Sequence, residues 1–85
     1  MPYIKGDDRV EIDEVIDELA FSIREGPGRL NYAITRLLLV LYHDRKTYSA
    51  YNEIVGVLEC VKQEFYRRAV APYEDQKAKE NGDVY

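Results

Sequence analysis

Residues 50–71 read AYNEIVGVLECVKQEFYRRAVA, and their spacing decides the fold class. Tyr51, Ile54, Val55, Leu58, Val61, Phe65 and Ala69 recur at steps of three and four. That period puts them on one stripe of an α-helix and excludes the two-residue alternation of a strand. Pro72 follows at once. It has no amide hydrogen and disfavours helical geometry at the residue before it, so the helix is expected to break or kink at Ala71–Pro72. The next residues, PYEDQKAKENG (72–82), predict a short further helix with Pro72 in its first turn and Gly82 past its end.

The same period appears twice upstream. In GDDRVEIDEVIDELAFSIREG (6–26), Ile12, Val15, Ile16, Leu19 and Ile23 share a face, with Asp8 and Glu11 spaced as a capping box. Gly26-Pro27-Gly28 then turns the chain. In RLNYAITRLLLVLYHD (29–44), the face is Leu30, Ala33, Ile34, Leu37, Leu38 and Leu41. DRKTYS (44–49) follows, offering Thr47 or Ser49 as the cap of the third helix. No stretch alternates like a strand over a useful length. The expectation is an all-α chain, 1–85, in a single helical domain. Three main helices form a small bundle, the long third one is broken at Pro72, and a short C-terminal helix and an ordered tail follow.

Composition bounds the function. With 12 Lys and Arg against 16 Asp and Glu, the net charge is -4, so long nucleic acid is not an expected partner. The single cysteine, Cys60, suggests a reducing compartment. The start MPYIKGDDR has no apolar signal region, and the run LLLVLY (37–42) is too short to span a bilayer. A cytoplasmic protein without membrane contact is expected. Eight tyrosines stand against two phenylalanines and no tryptophan. Tyrosine suits interfaces and ligand pockets, or the edges of a small core.

A second set of apolar positions falls outside the main faces. Stepping about 100° per residue places Val10 and Phe21 opposite the first stripe and Leu39 opposite Leu30 and Leu41. Gly56 and Cys60 lie opposite the third stripe, with Arg67 on the same side. Outer apolar faces on all three helices favour a homo-oligomer, with Phe21, Leu39, Gly56, Cys60 and Tyr85 as interface residues. Val84 and Tyr85 are an unusual ending for a solvated tail, and Asn81-Gly82 offers a turn to fold it back onto the body or a neighbouring subunit.

Catalytic and metal chemistry find little in the sequence. His43 and Cys60 are each the sole residue of their kind and lie on different helices, with no third residue marked to orient them. No HExxH, CxxC or Glu-x-x-His pattern occurs. Glu11, Glu14 and Glu18 have magnesium-type spacing, but the second helix has no carboxylate before Asp44 to complete such a site. No cofactor is expected. The remaining constellation is Tyr32, Arg36, Tyr66, Arg67, Arg68 and Tyr73. Arginine forks onto phosphate and tyrosine stacks on bases, so these six suit a small anionic, nucleotide-like ligand. The alternative pairs Glu64 with Arg68 and leaves the other charges solvated. REGPGRLN (24–31) adds Arg24 and Arg29 near a helix N-terminus, a weaker anion signal.

LNYAITRLL (30–38), LECVKQEFYRR (58–68) and APYEDQKAKENGDVY (71–85) together resemble a family of small bacteriophage and bacterial proteins of unknown function. The resemblance covers nearly the whole chain and transfers no catalytic residue. Its phage-like context implies a small helical protein that sequesters a nucleotide-like signal of host defence, acting in the host cytoplasm if phage-encoded. An interaction protein that inhibits or adapts a host or phage protein is the alternative. A metal-dependent nucleotide hydrolase is the least favoured reading.

Overall fold

The computed structural model describes residues 3–85 and is all-α, with no strand among those residues. Helices α1 (Gly6–Ser22), α2 (Pro27–Leu41), α3 (Tyr48–Phe65) and α4 (Ala71–Asn81) follow one another, with a π-helical turn, Tyr66–Val70, between the last two. The described residues fall into two compact units, 3–51 and 52–85.

The first unit opens differently from the expected capping box. Helix α1 begins at Gly6, two residues before Asp8, and Lys5 occupies the cap position without a side-chain hydrogen bond. Asp7 and Asp8 therefore lie inside the first turn, where their charges favour the positive end of the helix dipole. The Asp8 amide itself donates to the Lys5 carbonyl at 3.0 Å. After α1 the chain turns through residues 23–26, and Pro27 takes the first position of α2, where its missing N–H costs nothing. Arg29 staples this corner: its Nη1 donates to the Ser22 carbonyl at 3.0 Å, and its Nη2 lies 3.4 Å from Glu25 Oε2. At the start of α3, Thr47 caps as expected, its Oγ1 accepting from the Ala50 amide at 3.2 Å.

In the second unit the interruption near Pro72 takes an unexpected form. The chain stays helical, and the disturbance sits just before the proline as the π-turn. The Ala71 amide donates to the Tyr66 carbonyl, a five-residue span in place of four. A proline ring in a regular α-helix collides with the carbonyl four residues back, here that of Arg68. Widening the turn before it relieves that collision without ending the helix. Helix α4 stops at Asn81, where Gly82 adopts φ 88° and its amide closes on the Ala78 carbonyl at 2.9 Å. That left-handed position favours glycine, and it is the stop expected from Asn81-Gly82.

The apolar stripes are present but open. Ala50 is the one buried hydrophobic residue among those described. Ile12, Val15 and Ile16 on α1, and Leu30, Leu37 and Leu41 on α2, are each about half exposed or more. The core that those stripes would line is not completed within either unit.

Candidate functional site

The α1–α2 corner of the first unit holds the best-formed concavity. Leu19, Ser22 and Ile23 from the end of α1 face Gly28, Arg29, Tyr32, Ala33, Arg36, Leu37 and Val40 of α2 across a groove of about 580 Å³. Its volume is that of a pocket for a small organic ligand (roughly 300–1,000 Å³). The floor is aliphatic, and the polar groups sit at the α2 side: Tyr32 and Arg36, one turn apart, and Arg29 one turn before them. Arg29 is already engaged by Glu25 and the Ser22 carbonyl. Arg36 has no hydrogen bond or ion pair among the described residues, so its guanidinium is available at an apolar wall.

The other four expected ligand residues lie in the second unit and are in more occupied surroundings. Tyr66 donates its hydroxyl to Glu74 Oε1 at 2.6 Å, and this bond to a carboxylate holds the phenol above its ordinary pKa. Arg67 pairs with Glu64 at 2.9 Å, so the expected Glu64–Arg68 pair is replaced by a partner three residues away instead of four. Arg68 carries no partner among the described residues. The ring of Tyr73 is covered by the Lys77 ammonium at 5.7 Å from its centroid. Tyr66 and Arg67 line a shallow pocket with Lys62 and Gln63, of about 270 Å³. Beside it, Glu59 is held below its ordinary pKa, first by a hydrogen bond from Gln63 and then by Lys62.

The expected interface residues are all open. Phe21 is exposed, with the Arg24 guanidinium 4.0 Å from its ring centroid. Leu39 is 62% exposed, and a side chain added at Gly56 would meet no atom within 4 Å. Cys60 is exposed, not the packed apolar residue that a free cysteine ordinarily is. Tyr85 is fully exposed, and its amide donates to Asp83 Oδ1 at 2.9 Å in a local turn. The tail and α4 border a second, more polar groove, reached by Tyr66, Glu74, Lys77 and Tyr85.

No three His, Cys, Asp or Glu side chains among the described residues are grouped to hold a metal ion. Among the described residues no helix is long and apolar enough to cross a membrane. Sequence spacing had joined Tyr32 to Arg36 but gave no sign that Leu19 and Ile23 face them. The corner at residues 23–26 does that; Gly26-Pro27-Gly28 announced a turn there, but not the angle that brings the two helices face to face.

The family model described as Domain of unknown function (DUF6899) matches residues 1–84. The chain belongs to that family. The DUF6899 match runs through both units, so it takes in the Tyr32–Arg36 groove, the π-turn and the Tyr66–Glu74 bond alike. Neither the curated proteins nor the solved structures include a match to this DUF6899 chain.

Proposed function

We propose that this chain is a non-enzymatic binding protein that works as a homo-oligomer and captures a small anionic, nucleotide-like molecule. The observation that carries the reading is Arg36, unpaired beside Tyr32 on the wall of an aliphatic groove. A guanidinium at an apolar surface attracts phosphate more strongly than one in open water, because the lower local dielectric leaves the charge less screened. A tyrosine one helical turn away offers a ring face for a base, and the aliphatic floor suits a sugar edge or a second ring. Of the other expected ligand residues, Arg68 has no partner among the described residues, whereas Arg67, Tyr66 and Tyr73 each have an intramolecular partner to give up first. The likeness to small phage and bacterial proteins supplies the context, sequestration of a nucleotide signal in the host cytoplasm.

Thermal melting against a panel of mono-, di- and cyclic nucleotides tests the reading, since a ligand that binds only the folded state raises Tm. A shift with nucleotide that needs no divalent ion, and leaves the nucleotide intact, is the expected result. Turnover of the nucleotide with magnesium would instead support a hydrolase. The exposed apolar side chains favour one second reading, an interaction protein whose helical faces cover a host or phage protein. No shift with any nucleotide would leave that reading in place.

A further inference from the structure

The groove at the α1–α2 corner is lined by two charged side chains, Arg29 and Arg36, and by no carboxylate. Arg29 is held from outside the groove, by the Ser22 carbonyl at 3.0 Å and by Glu25 Oε2 at 3.4 Å. Both members of that ion pair are well exposed, so it opens at little cost. Opening it does not remove Glu25. The carboxylate stays beside the rim, and two guanidiniums with one carboxylate still sum to a single positive charge. Arg24, the other cation of the corner, is turned to Phe21: it donates to the Phe21 carbonyl and lies 4.0 Å from that ring's centroid. The one lining charge left unanswered among the described residues is Arg36, a helical turn from Tyr32.

We infer that Glu25 sets the charge of the ligand: the groove takes a nucleotide through a phosphodiester, with its single negative charge, and discriminates against terminal phosphates. This rests on the nucleotide capture proposed above and names the class of nucleotide. A phosphodiester presents two free oxygens to the fork of Arg36 and leaves no charge over. A terminal phosphate brings close to two negative charges at pH 7. The surplus charge faces either the aliphatic floor of Leu19, Ile23 and Leu37, where it loses hydration without a partner, or the Glu25 carboxylate, which repels it. The net charge of -4 acts in the same direction. Without Glu25 the same wall would offer two guanidiniums unopposed by any acid, an arrangement that suits a pyrophosphate.

Titration calorimetry on the full chain tests this at low ionic strength, where exposed charges are least screened. For each base the probes are the 3′,5′-cyclic monophosphate, the 5′-monophosphate and the 5′-diphosphate. The linear dinucleoside monophosphate joins them, to separate a ring from a chain. Wild type should bind one of the two diesters most tightly and the diphosphate least. Glu25→Gln should gain about twofold for a diester, the effect of one unit charge across ~10 Å of water. For a diphosphate of charge near -3 the gain should be about eightfold, because the energy scales with ligand charge. Glu11→Gln makes the same change in net charge near the start of α1 and should leave the ratio of the two affinities as in wild type. A wild-type chain that prefers the diphosphate to both diesters overturns the inference. So does Glu25→Gln with the wild-type ratio, or Glu11→Gln shifting the ratio as far as Glu25→Gln does. In each of those cases nucleotide capture still stands. Binding of no probe on any base would sink that reading, and this inference with it.

Discussion

Tyr66 and Glu74 are eight residues apart, yet the hydroxyl of one donates to the carboxylate of the other at 2.6 Å. In an uninterrupted α-helix, eight steps of about 100° leave two side chains some 80° apart around the axis. The π-turn between them absorbs one residue and brings the pair to the relationship of a seven-residue spacing, about 20° apart. The bond therefore reports the register of α4 against α3.

Replacing Pro72 by alanine restores an amide hydrogen and removes the ring that the wide turn accommodates. The turn should close to ordinary α-helical geometry, and Glu74 should swing away from Tyr66. Amide exchange across residues 66–72 would then show regular helical protection, and the Tyr66 phenol would titrate nearer its ordinary value. If Pro72→Ala leaves Tyr66 titrating as in wild type, the proline does not cause the π-turn.

Because the neutral phenol is the donor, the raised Tyr66 pKa has a definite sign for stability. The folded value lies above the unfolded one near 10.0, so the contribution is complete below pH 10 and is lost as pH rises through the raised value. Carbon-13 labelling of the tyrosine rings should show one resonance titrating later than the ordinary tyrosine range. Tyr66→Phe should remove that resonance, and Glu74→Gln should return it to the ordinary range.

Arg36→Ala should cost at least tenfold in nucleotide affinity by titration calorimetry, and Tyr32→Ala about 1–3 kcal/mol if its ring stacks on a base. Arg67→Ala should matter less, since Glu64 already holds that guanidinium. Equal losses at Arg36 and Arg67 would place the ligand outside the α1–α2 groove.

Thr47→Ala removes the only side-chain cap recorded at a helix start among the described residues, and should cost about 0.5–2 kcal/mol in urea unfolding. Ser49→Ala should be nearly silent. The reverse ranking would show that Ser49, the other candidate, supplies the cap.

How far the sequence could be read depended on the range of the interaction. Thr47, the stripes and Gly82 were legible because each acts within a turn of itself. Asp8 misled because a capping pattern does not say whether the helix starts earlier, and Gly6 started it two residues sooner. Pro72 announced a disturbance, but the collision falls on a carbonyl four residues upstream, so its relief appears at 66–70. Tyr32 and Arg36 were paired by period alone. Their apolar floor depends on the angle of the α1–α2 corner, which no local pattern encodes.

The π-turn also bears on chain length. One surplus residue is stored between Tyr66 and Val70, looped out sideways without lengthening the axis by a full step. A DUF6899 sequence with a one-residue gap there and no proline at position 72 could run straight through and still set the Glu74 position under the Tyr66 position. Such a gap would be silent for every surface downstream, whereas a one-residue gap in α3 would rotate all of them by about 100°. Sequences of this family are better matched by helix face on either side of the turn than by counting through it.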